Sequence, residues 1–73
     1  MATKSLRKKI VYLRKQSSMN RRDFSRETGL SYHTILAIEL GRTAVPQIDT
    51  LVRIAKGLAM TVDELLAGTE FDI

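Results

Sequence analysis

Residues Asn20–Gly41 read NRRDFSRETGLSYHTILAIELG, and the fold turns on how this stretch is punctuated. Asn20 is a good helix N-cap, and Asp23, three residues on, can answer it as in a capping box. The spacing predicts a short helix over about 21–28 that buries Phe24 and its Ser25/Thr28 side. Gly29 supplies the left-handed residue that ends it. Leu30 then drops into the core, and Ser31 caps a second short helix over about 32–40, which Gly41 closes.

Outward from this unit, the pattern stays helical. Leu6, Ile10 and Leu13 recur at helical spacing over about 6–16 and form one apolar stripe, which Ser17 and Ser18 interrupt. Arg42–Pro46 reads as a loop. A fourth helix over about 47–58 carries Ile48, Leu51, Ile54, Ala55 and Leu58 on one face. Thr61 with Glu64 makes a second capping box, followed by Val62, Leu65 and Leu66 as the apolar side of a fifth helix. Gly68 ends it, and TEFDI is a loose tail or a small docking segment. Alternation at period two is nowhere sustained. The expectation is an all-α chain of five helices forming one domain over 1–73, with a core at about 5–67 and a short tail at 68–73.

The whole chain of 73 residues bounds the function. It has no cysteine, so no disulfide and no thiolate metal site. Its apolar runs fall far short of the ~20 residues that span a bilayer, and its basic start is not followed by a signal-peptide core; a cytoplasmic protein is the expectation. The net charge is +4, and eight of the twelve Lys and Arg lie in residues 1–22, which hold no acid. Such one-sided charge favours a polyanion, nucleic acid ahead of an acidic membrane surface; the alternative is a solvated helix face. With one histidine, no glycine-rich phosphate loop and no clustered carboxylates at ligand spacing, an enzyme is disfavoured. No cofactor, metal or small-molecule ligand is expected. Asp63 and Glu64 suit the first turn of a helix.

Two helices of eight or nine residues joined by Gly-Leu-Ser form a helix-turn-helix in length and spacing. With LRKKIVYLRKQSSMNRRDFSRETGLS, TILAIELGR and PQIDTLVRIAKGLAMTVDELL in register, the chain resembles the phage repressor/Cro-type (XRE-type) helix-turn-helix family from Leu6 to Leu66. The resemblance implies a compact five-helix, lambda-repressor-like domain whose second motif helix enters the major groove. It also implies an ion pair between an arginine late in the first helix and a glutamate late in the third, here Arg14 and Glu39. Three departures stand out. Arg21 occupies a position where the family commonly has glutamine. Ala59 stands where glycine is usual past the fourth helix, with Gly57 two residues earlier. The third helix is poor in polar groups.

By the same resemblance, the base-facing positions are Tyr32, His33 and Ala37. Tyr32 and His33 carry polar hands, while Ala37 and Leu36 suit a thymine methyl. No Arg, Asn or Gln lies on this helix, so direct readout is modest and DNA shape carries a share. Placed at 100° per residue, Ile35 and Ile38 face the core, and His33, Leu36, Ala37 and Leu40 face away. Phosphate contacts are expected from Asn20, Arg21 and Arg22 at the open start of the second helix, from Thr34, and from Arg42 and Thr43 beyond the third. Lys8, Lys9 and Lys15 are equally read as phosphate ligands or as solvated lysines. The family usually binds as a two-fold homodimer, and Met60, Val62, Leu66, Phe71 and Ile73 are the candidate dimer residues. The leading expectation is a sequence-specific double-stranded DNA-binding transcriptional regulator, a repressor or control protein. An antitoxin with a toxin partner, or a protein-interaction module using Leu36, Ala37 and Leu40, is the alternative.

Overall fold

The computed structural model describes residues 5–43 and 45–72. Five helices follow one another: α1 (Leu6–Gln16), α2 (Arg21–Thr28), α3 (Tyr32–Glu39), α4 (Ile48–Gly57) and α5 (Val62–Leu66). The chain is all-α, with no strand element among the described residues. Its starts follow from local chemistry. Ser5, Asn20, Ser31 and Thr61 each accept a hydrogen bond from the amide three residues on, and Asn20/Asp23 and Thr61/Glu64 form complete capping boxes. Only α4 begins without a side-chain cap.

Three of the helices stop in the same way. At the end of α4, the Met60 amide donates to the Ala55 carbonyl and the Ala59 amide to that of Lys56. The Met19/Ser18 amides repeat this pattern at the end of α1, and the Arg42/Gly41 amides at the end of α3. Each motif places one residue in the left-handed region, and the chain puts Ser18 (φ 57°), Gly41 (φ 77°) and Ala59 (φ 58°) there. So Ala59 takes the left-handed position that its family resemblance assigns to glycine. Gly57 has a different reason to be glycine: a Cβ there would lie 2.6 Å from Thr28 Cγ2. The last turn of α4 sits against the end of α2 at a distance only a bare backbone allows.

The core joins Leu6 and Ile10 of α1, Phe24 of α2, Ile35 and Ile38 of α3, Leu51, Ile54 and Ala55 of α4, and Leu65 of α5. α2 packs on both α3 and α4, while α1 packs on α3 and α5. Ile48 shares the apolar face of α4 by its spacing, yet it is 68% exposed, whereas Leu51, three residues on, is buried in the core. Residues 69–71 dock onto the body. Thr69 is buried, Phe71 packs on the core, and Glu70 Oε1 accepts from the Leu6 amide at 2.7 Å. In return, Lys9 Nζ donates to the Glu64 and Ala67 carbonyls at the end of α5, each at 2.7 Å. Each end of the chain therefore caps a helix from the other with the charge its dipole favours.

Two stability outcomes follow from these ends. Ala59→Gly relieves a left-handed alanine and raises stability by about 1 kcal/mol, whereas Gly57→Ala overpacks Thr28 and lowers it by about 1–3 kcal/mol. Urea unfolding of the two single variants checks both signs. The backbone amides of Asn20 and Thr61 hold the Asp23 and Glu64 carboxyls below their ordinary range, with Arg26 adding to the first and the Thr61 hydroxyl to the second. That stabilisation is complete above the ordinary carboxylate range and is lost as pH falls through the lowered values, below about pH 4. Asp23→Asn with Glu64→Gln flattens the acid limb of an unfolding titration followed by circular dichroism.

Candidate nucleic-acid interface

The turn between α2 and α3 is built by the residues before it. Gly29 adopts φ 73°. The Ser25 hydroxyl donates to the Leu30 carbonyl, and the Thr28 hydroxyl donates to the Phe24 carbonyl while accepting from the Leu30 amide. These bonds fix the direction in which α3 leaves. Ile35 and Ile38 then anchor α3 in the core. The leading end is left outside: Tyr32 and His33 are exposed, and their rings meet edge to face with centroids 6.3 Å apart. Thr34 is half-buried, with its hydroxyl 2.9 Å from that of Ser31. Leu36 and Ala37 are also half-buried, and Leu40, the C-cap residue, is exposed.

Behind this face lies the main electrostatic feature. Glu39 is buried, and its carboxylate receives Arg14 Nε at 2.8 Å, Arg14 Nη2 at 3.0 Å and Arg21 Nε at 2.9 Å. Arg14 is itself buried and also donates to the Met19 carbonyl at 3.0 Å. Arg7 reaches the Glu39 backbone carbonyl at 3.4 Å. No buried side-chain nitrogen or oxygen among the described residues lacks a partner. The Glu39 carboxylate first, and then the Tyr32 hydroxyl, push the Arg21 guanidinium pKa up from its ordinary value. A dry carboxylate between two arginines thus joins α1, α2 and α3.

Around it, Lys15, Asn20, Arg21, Arg22 and Tyr32 line one open recess with Val11 and Arg14. At the start of α2 the capping box closes the Asn20 and Asp23 amides, which leaves those of Arg21 and Arg22 without an acceptor within the helix. The arrangement has the chemistry to take an anion such as a phosphodiester: clustered cations beside free helix-start amides. Asn20 has its side-chain oxygen on the Asp23 amide, which leaves its amide hydrogens to donate outward. Arg42 and Thr43 are exposed just beyond α3.

Not every expected site residue lies here. Lys9 is removed from the candidate phosphate ligands, since its ammonium closes α5. Met60, Val62, Leu66 and Phe71 lie at the other end of the chain, half-buried on the core of their own chain, and Ile73 falls outside the described residues. The link from Arg21 to Glu39 was not anticipated, although the arginine in a glutamine position was its visible signal.

Glu39→Gln leaves buried Arg14 without a counter-charge. Stability falls by about 3–5 kcal/mol, a large share of the about 5–15 kcal/mol that a folded domain has. Urea denaturation measures it; a loss under ~1 kcal/mol would show that the carboxylate contributes little.

Residues 8–70 match the family described as helix-turn-helix domain. No curated protein matches the chain. With nearly its whole length matched, the chain belongs to this family of DNA-binding domains, and to its XRE/Cro-type kind.

Proposed function

We propose that this helix-turn-helix protein is a sequence-specific regulator of transcription, a repressor or control protein that binds a two-fold operator as a homodimer. The observation that carries the reading is the recess at the start of α2, where Lys15, Arg21 and Arg22 lie beside Tyr32, the leading residue of α3. In this reading α3 enters the major groove with Tyr32 and His33 at base edges, and Ala37 and Leu36 against thymine methyls. Asn20, Arg22, Arg42 and Thr43 hold the sugar-phosphate backbone. Arg21 has one guanidinium edge left for a phosphate, and Thr34 shares its hydroxyl with Ser31.

No helix among the described residues is long and apolar enough to cross a membrane. The proposal places the protein in the cytoplasm, acting without cofactor, metal or small-molecule ligand and without enzymatic activity of its own. The dimer is proposed to use the half-buried Met60, Val62, Leu66 and Phe71 around α5, with Ile73. A second reading rests on Leu40, Val45, Ile48 and Val52, which are exposed in the stretch from the end of α3 into α4. Under it, a partner protein such as a toxin covers this apolar surface, as for an antitoxin.

Duplex DNA titrations at several salt concentrations test the function. Affinity for random sequence falls steeply as salt rises, because each phosphate contact releases a counterion. Arg22→Ala and Arg42→Ala weaken binding to all sequences alike and lower the salt slope by about one each. His33→Ala instead blurs the preference among sequences selected from a random pool. Undetectable binding at low salt would overturn the DNA reading.

A further inference from the structure

Met60, Val62, Leu66 and Phe71 are packed against the core of their own chain. They can turn their packed sides to a second chain only if α5 leaves the first. The link that holds α5 in place is strained. Ala59, between α4 and α5, sits at φ 58°, a left-handed angle that costs an alanine more than a glycine. The bonds that keep the bend are local. The Ala59 amide donates to the Lys56 carbonyl, the Met60 amide to that of Ala55, and Thr61 with Glu64 forms the capping box. An unbroken helix gives each amide of the link an ordinary bond to the fourth residue back and removes the left-handed angle.

The sequence suits that straight form. Residues 58–66 hold no glycine and no proline. Leu51, Ala55, Leu58, Val62 and Leu65 follow one another in alternate steps of four and three residues, so α4 run on into α5 keeps one apolar stripe. The contacts of α5 and the tail are transferable as well. Leu65 is buried in the core, Lys9 donates to the Glu64 and Ala67 carbonyls, and the Glu70 carboxylate accepts from the Leu6 amide. Each joins residues 64–70 to the rest of the body, and each forms as well with the same groups of a second copy. Ser18 shares the left-handed angle, but there the Arg14 side chain bonds the Met19 carbonyl and the Asn20/Asp23 box follows at once.

We propose that this chain pairs by exchanging α5 and the tail with a second copy, with Ala59 as the hinge and α4 continuing into α5 as one helix. Short strained hinges favour such exchange. Each body is then sealed by the partner copy's α5, and only the hinge adopts a new conformation. The inference deepens the proposed dimer through α5 and rests on it.

Sedimentation velocity of the full chain over a range of concentrations reads the monomer–dimer equilibrium. Ala59→Gly relaxes the bend and weakens the straight helix at both hinges, so the dimer dissociation constant rises about a hundredfold or more. Ala59→Val puts a β-branched residue at the left-handed angle and lowers that constant about tenfold. In dimers refolded from equal parts of isotope-labelled and unlabelled chain, filtered nuclear Overhauser spectra show contacts between α1 and α5 methyl groups of different chains.

Contacts between α1 and α5 confined within each chain overturn the exchange and leave a side-by-side dimer standing. A dimer constant that Ala59→Gly does not move overturns it too, whether or not the valine variant folds. If neither wild type nor Ala59→Val dimerises at any concentration, the exchange and the homodimer both fail, and duplex titrations still decide the DNA reading.

Discussion

The Glu39 carboxylate is the point on which three helices depend. It lies dry at the end of α3, where the helix dipole disfavours a negative charge. Two arginines from α1 and α2 offset that cost, with three hydrogen bonds between 2.8 and 3.0 Å. A hydrophobic contact would hold the helices together with less directional preference. Forked bonds to a fixed carboxylate set a distance and an angle as well. The buried charges thus favour one arrangement of α1, α2 and α3, and the apolar core of Phe24, Ile35, Ile38 and Ile54 supplies the bulk of the attraction.

Much of this architecture was legible because its signals are local. Asn20 with Asp23, Ser31, and Thr61 with Glu64 mark helix starts through bonds spanning three residues. Gly29 marks the turn through a backbone angle of its own. Ile48 shows that periodicity reports which face a residue shares, while burial depends on whether another element covers that face. The sequence shows Gly57 only as a glycine two residues ahead of the usual place, and the approach of Thr28 gives it a reason.

The site was legible in the same uneven way. Exposure of Tyr32 and His33 follows from the phase of α3, which Ile35 and Ile38 set. The fate of the basic residues does not follow from charge. Lys9 and Lys15 read alike in sequence, yet one closes α5 and the other lines the recess. Arg21 reads as a surface cation until the Glu39 carboxylate, 18 residues away, is placed beside it. Each of these assignments rests on a tertiary neighbour, which one-dimensional spacing does not encode.

The bond from the Leu6 amide to the Glu70 carboxylate spans 64 residues. Lys9 crosses back over 55 and 58 residues to the carbonyls at the end of α5. Contacts of α2 with α3 and α4 close much shorter loops. Loop-closure entropy therefore weighs most on the seam between the two ends of the chain. When ordering is lost in part, that seam is the first to open, and the start of α1 frays with α5 while Arg14, at the far end of α1, keeps its hold on Glu39. On the ribosome, the same asymmetry lets the helix-turn-helix assemble before the residues that seal the start of α1 have been synthesised.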